Sequence, residues 1–288
     1  MTKVLARRSM PACVNAVWAA GFAMMTCSCA AAGAGGLLHP ARHRVLEPPP
    51  PGCTNTTFMG ADVRLEGWRC PALPPRRGAL VYLHGTADNR TSAVGVIQRF
   101  VPRGFDVVAY DSRAHGESEG DVCTYGFFEK KDLHAVLDTI EPGPIVLMGT
   151  SLGGAVALQE AADDNRVSIV VSAETFSDLR TVASERAPFF FTAGTMRAAF
   201  QLAAEQGRFD VDAVSPQNAA ARITAAVLLI HGGADTDTSP EHSRRVFAAL
   251  QGPKRLIIVP GATHNRSLRP EVWVDIENWI NQVIAQPH

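Results

Sequence analysis

The segment IVLMGTSLGGAVALQEA, Ile145 to Ala161, is an apolar run that stops at Gly149-Thr150-Ser151-Leu152-Gly153-Gly154, with an alanine-rich helical pattern following at once. A strand that turns this sharply into a helix leaves its corner residue with strained backbone angles, and glycines beside it let strand and helix approach. The corner residue is Ser151. On such a bend its hydroxyl stands clear of the sheet, and the first N–H groups of the helix point at whatever binds there. G-x-S-x-G alone also describes a plain tight turn. A chemical role needs a base, an orienting acid and donors for a developing oxyanion.

Short apolar runs alternate with helical stretches on both sides of this segment. ALVYLH (79–84), FDVVAY (105–110), PIVLMG (144–149), VSIVVSA (167–173), AAVLLIH (225–231) and RLIIVP (255–260) read as buried strands. Helical patterns lie between them, and a final amphipathic helix starts at Pro270. TFMGADVRLEGWRC, from Thr57, alternates like a strand ahead of this series. Continuous apolar strands separated by helices predict an α/β fold, a mostly parallel central sheet with helices on both faces. Right-handed crossovers then place the strand C-terminal ends on one rim, where sites form. The interval 176–210 fits the alternation poorly and reads as a small helical cap insertion. Its Phe189, Phe190 and Phe191 are either core or the wall of an apolar pocket.

A serine hydroxyl is a weak nucleophile near neutral pH, and in this architecture its partners follow in the order acid, then histidine, each just after a strand. Beyond Ser151 stand His231, His242, His264 and His288. His288 ends the chain, His242 falls in a helix with a solvated or capping role, and His231 sits in a turn ahead of any nearby acid. His264, in VPGATHNRS after a strand, is where the base belongs. Asp235, in IHGGADTDTSPEHS, is the preferred acid. Asp237 is the alternative, with a competing role near the helix start at Pro240, and Glu174 is a third candidate. The oxyanion donors fall at the backbone N–H groups of Leu152 and of Thr86 in YLHGTADNR, with His84 bracing that loop. Asp111, Arg113, His115 and Ser118, in YDSRAHGESEG, read as an internally hydrogen-bonded turn near the nucleophile. No zinc-like spacing, phosphate loop or GxGxxG occurs, so no metal and no cofactor is expected.

The net charge of −1, with 46% hydrophobic and 19% charged residues, gives no argument for a nucleic-acid partner or an anionic membrane surface and fits a full globular core. The N-terminus differs in kind. Lys3, Arg7 and Arg8 precede an apolar run from Ala12 to Met25 and then a small-residue zone, which predicts a signal peptide over 1–32 and export. Two endings compete: cleavage near Ala32, or a lipoprotein-type signal in which Cys27 or Cys29 becomes the lipidated N-terminus and anchors the chain to a membrane. Residues 33–54, ending in Pro48 to Pro51 and Cys53, read as an extended Pro/Gly/Ala-rich linker to a domain over 55–288. In an oxidising compartment Cys53 and Cys70 are placed to pair, leaving Cys123 as a buried, inert thiol.

Together YLHGTADN, YDSRAHGESEG, GTSLGG, HGGADTDTSPEHS and GATHN, in this order, resemble the α/β-hydrolase superfamily, most of all its small bacterial serine esterases and aminopeptidase-like hydrolases. The resemblance covers about residues 55 to 285. It implies a Ser151–Asp235–His264 triad, oxyanion donors at Thr86 and Leu152, and a mobile cap between the later strands. DTDTSP departs from the family's usual acid loop and keeps Asp237 open. The expected activity is hydrolysis of an ester through an acyl-enzyme, on a small-molecule or peptide acyl substrate. Amide or peptide hydrolysis, acyl transfer and a non-catalytic binding protein are the other readings.

Overall fold

The computed structural model describes residues 28–285. Eight strands form one sheet in the order β1 (Thr54–Met59), β2 (Arg64–Cys70), β4 (Phe105–Tyr110), β3 (Gly78–Leu83), β5 (Ile145–Thr150), β6 (Val167–Ala173), β7 (Ala226–Gly232) and β8 (Lys254–Val259). From β4 to β8 every neighbouring pair is parallel, while β1 and β2 add an antiparallel edge. The central strands are buried along their whole length, as GALVYL and AVLLIHG require when both faces are covered.

Alternate residues of each strand supply two separate cores. On one face Leu80, Tyr82, Val146 and Met148 pack under α2 (Val94–Phe100) and α9 (Pro270–Ile284), whose Val272, Ile276 and Ile280 recur at helical spacing. On the other, Val81, Leu83 and Leu147 pack under α3 (Glu129–Leu137), α4 (Leu152–Ala161) and α8 (Glu241–Ala249). Between β6 and α7 (Pro216–Ala220) lie α5 (Leu179–Glu185) and α6 (Ala193–Gly207), in the interval the sequence marks as irregular. Cys53 and Cys70 are joined across the start of β1 and the end of β2. Cys123 is a buried free thiol whose pKa burial pushes well up.

The linker reading of 33–54 fails in its first part. Residues 28–38 form a helix, α1, with Ala30, Ala34 and Leu38 fully buried. Its small residues explain why: a Cβ on Gly33 would stand 3.0 Å from the Phe191 ring and 3.2 Å from Ala199, tighter than most side chains sit, so glycine there favours the close approach of α1 to α6. The charged segment, the apolar run to Met25 and Cys27, on which the signal reading rests, lie outside the described residues.

Candidate active site

Ser151 sits between β5 and α4 at φ 50°, ψ −113°, a conformation that costs a non-glycine residue on the order of 1–3 kcal/mol. The surroundings fix it there. Its N–H donates to Ala173 O on β6 at 2.8 Å, and its carbonyl accepts the Ala155 N–H at 3.1 Å. A Cβ on Gly153 would overlap the Leu83 carbonyl, and one on Gly149 would overlap the Gly153 carbonyl. The glycines of GTSLGG therefore serve close backbone approach, and the bend that results lifts Ser151 to the rim.

His264 reaches Ser151 from the loop after β8. Its Nε2 lies 3.3 Å from Ser151 Oγ and its Nδ1 2.7 Å from Asp235 Oδ2. Asp235, on the loop after β7, is buried, and its Oδ1 accepts the N–H groups of Asp237 and Thr238, each at 2.9 Å. Burial alone would raise its pKa. Hydrogen bonds from His231, His264 and the Thr238 N–H outweigh that and hold the carboxyl well below the usual carboxylate range. The group facing His264 Nδ1 is thus an anion, which fixes the imidazole with a proton on Nδ1 and a free lone pair on Nε2 toward Ser151.

The competing acids separate cleanly. Asp237 is exposed; its backbone donates to Asp235 and its carbonyl accepts Arg186 Nε at 2.7 Å. Glu174, held at φ 55° after β6, turns its carboxylate onto the His264 loop instead of onto the ring. It accepts the N–H groups of Asn265, of Arg266 at 3.2 Å and of Ser267 at 3.0 Å. His231 is buried in β7, with Nδ1 2.6 Å from Ser243 Oγ, Nε2 2.9 Å from Thr238 O and 3.3 Å from Asp235. It belongs to the acid's surroundings, a contact its place in a glycine turn did not signal. The solvated role expected for His242 is also wrong. Its side chain is fully buried, receives the Ser177 N–H at 3.1 Å and meets Glu185 at 2.8 Å, so it ties the start of the cap to α8.

The 110–120 loop is an internally bonded turn. Asp111 pairs with Arg90 at 2.5 Å, Arg113 with Asp132 at 2.7 Å, and Ser118 Oγ donates to Asp111 O at 2.6 Å. His115 stacks edge-on against His84 with ring centroids 5.1 Å apart, and His84 in turn bonds Gly85 O at 2.7 Å and accepts the Ser112 N–H at 2.9 Å. His84 therefore braces the loop that carries Thr86.

Two cavities meet at this rim. A polar corner of about 460 Å³ is lined by Gly85, Thr86, Asp88, Ser151, Asp237 and His264, among others. An apolar chamber of about 590 Å³ lies beside it, walled by α1, α5 and α6. Thr86 and Arg186 line both. Phe190 and Phe191 face the chamber, whereas Phe189 points into solvent. Arg186 and the α1 wall had no signal in the sequence. Among the described residues, His134, Glu160 and Asp164 bring three ligand-type atoms within 4.8 Å of one another. His134 already bonds Glu160, and Asp164 holds Arg166.

Residues 80–276 match the alpha/beta hydrolase family. The Escherichia coli protein YfhR is 26% identical over 235 residues, covering 77% of this chain and 76% of its own. The Pyrococcus furiosus esterase Pf2001 superposes with a TM-score of 0.69 at 22% identity, over 85% of this chain and 100% of that one. The acetyl xylan esterase of a Paenibacillus species gives 0.64 at 18% identity, over 90% and 93%. At these identities the two structures speak for the fold.

Proposed function

The chain belongs to the alpha/beta hydrolase family, and on that premise we propose that it is a serine hydrolase cleaving a carboxylic ester through an acyl-enzyme. The observation that carries the reading is one imidazole bonded on both sides, 3.3 Å to the Ser151 hydroxyl and 2.7 Å to the buried Asp235 carboxylate. His264 takes the Ser151 proton as Oγ attacks the ester carbonyl, and Asp235 stabilises the imidazolium that forms. The Thr86 and Leu152 N–H groups receive the oxyanion. Leu152 is the first residue of α4, where helix N–H groups have no partner within the helix. His264 then gives its proton to the departing alkoxide, and water repeats the sequence in reverse to free the acid.

The Ser151–His264 separation is long for a committed hydrogen bond, as is usual before substrate closes such a site. Amide hydrolysis would use the same three side chains, with Asp88 and Asp237 of the polar corner available to hold a substrate ammonium. Export, by the lipoprotein-type signal that ends at Cys27 or Cys29 and so leaves the packed helix α1 on the mature chain, is part of the same proposal and is tested by intact mass of the mature N-terminus. The test of the chemistry is direct. Wild-type protein is expected to label with a fluorophosphonate probe and to turn over short p-nitrophenyl esters, and Ser151→Ala to do neither. Equal labelling of both proteins removes Ser151 as nucleophile.

A further inference from the structure

Among the described residues the apolar chamber and the polar corner share their lining at Thr86 and Arg186. On the serine-hydrolase reading, on which this inference rests, the two cavities have distinct occupants. The leaving alkoxide must receive its proton from His264, and His264 lines the polar corner, so the alcohol portion lies there. The carbonyl oxygen sits at the Thr86 N–H, and the acyl chain extends the other way, past Thr86. What it meets is apolar: Leu37, Leu179, Val182, Phe190, Phe191 and Met196. Among the described residues Arg186 is the only charged one lining that chamber, and its guanidinium is held by the Asp237 carbonyl and the Thr238 hydroxyl.

One wall is unusual in origin. Cys29, Ala32, Gly33, Gly36 and Leu37 all line the chamber, and their spacing of i, i+3, i+4, i+7 and i+8 is one face of a helix. They belong to α1, well before the sheet begins. Within that face the glycines differ. Gly33 is closed against Phe191 and Ala199, while a Cβ on Gly36 would meet nothing within 4 Å. Gly36 is exposed and lines the chamber, so a side chain added there would stand at its margin without displacing any atom at its Cβ.

We propose that the chamber is the acyl site, that its ligand is an aliphatic acyl chain, and that α1, through Gly36, limits how long that chain can be. Burying one methylene gains about 0.8 kcal/mol, about fourfold at 25 °C. Along a series of p-nitrophenyl esters from acetate to dodecanoate, kcat/KM of the full chain should climb by up to that factor per methylene until the chamber is full, then level off or fall.

Gly36→Leu should shift the optimum by at least two carbons toward shorter chains. Ala32→Leu, one turn earlier on the same face, should act in the same direction. Gly35→Leu, whose Cβ also meets nothing within 4 Å but which does not line the chamber, should leave the profile unchanged. Melting temperatures near that of wild type establish that the variants fold. Displacement of a fluorescent apolar dye by octanoate from the same proteins reads the chamber without catalysis. Identical ester profiles and identical octanoate displacement in Gly36→Leu, Ala32→Leu and wild type overturn the inference. Octanoate binding weakened by Gly36→Leu in a protein without ester turnover would instead keep the chamber and sink the serine-hydrolase reading.

Discussion

The polar corner and the apolar chamber share two residues and are built by different rules. The corner takes Thr86, Ser151, Asp237 and His264 from the loops after β3, β5, β7 and β8, with Asp235 buried behind His264. Parallel register puts the ends of those strands side by side, so a residue's distance past its strand fixes its place at the rim. The chamber takes its walls from α1, α5 and α6, which enter no strand and meet only through packing. The corner is thus written in short local motifs, and the chamber in contacts between segments more than a hundred residues apart.

The largest expected effect tests the corner alone. Asp235→Asn should lower kcat by about four orders of magnitude, the scale seen when the acid of such a triad loses its charge and the imidazole its correct tautomer. Asp237→Asn, on the same loop but facing solvent, should stay within a few-fold. Steady-state kinetics on one short ester separates them, and a reversed order would move the acid to Asp237. Octanoate displacement should be the same in both variants, because neither Asp235 nor Asp237 lines the chamber.

A smaller loss is expected at Glu174. Its carboxylate collects three N–H groups of the His264 loop, so Glu174→Gln leaves one acceptor and loosens the ring's position. A misplacement of about an ångström costs up to about a hundredfold in rate. The fall should appear in kcat with KM within about twofold, and Glu174→Asp should recover less than Asp235→Glu does at the acid position if reach to the loop is what matters. A large rise in KM with kcat intact would mean that Glu174 acts on substrate binding instead.

How much of this was readable follows from the same contrast. The strand–helix alternation, Ser151 and His264 were legible because each depends on a few consecutive residues. The choice of Asp235 over Asp237 was only half legible: both stand on the right loop, and the decision lies in which carboxylate is buried beside His231. His242 was misread because a helix position says nothing of what packs over it. The wall from Cys29 to Leu37 was illegible for a stronger reason: its alanines and glycines have no amphipathic pattern and look like the end of a signal followed by linker until α6 is laid against them.

The smallest effect concerns stability under the corner. Burial, and then the neighbouring His84, lower the His115 pKa to about 4. An unfolded imidazole takes its proton near pH 6.5 and the folded one only near 4, so the fold loses stability as pH falls through that window. Glu160, raised by burial to about 7, acts with the opposite sign and removes stability as pH rises from about 4.5 toward 7. Urea unfolding of wild type and His115→Gln at pH 7 and pH 5 isolates the first slope. The gap between the two proteins should shift in favour of the variant at pH 5, by on the order of 2 kcal/mol at most. An unchanged gap would mean that His115 takes up its proton as readily in the fold as in the unfolded chain.

The Cys53–Cys70 bridge has a mechanical consequence. A pull applied at the N-terminus travels through α1 and the segment after it to Cys53, then crosses the covalent link directly to Cys70. The β1–β2 hairpin lies on the bypassed loop and carries none of that force, so the sheet edge is shielded. Helix α1 lies upstream of the bridge and has no such bypass. Under tension it is the chamber wall, and not the rim holding Ser151, that gives first.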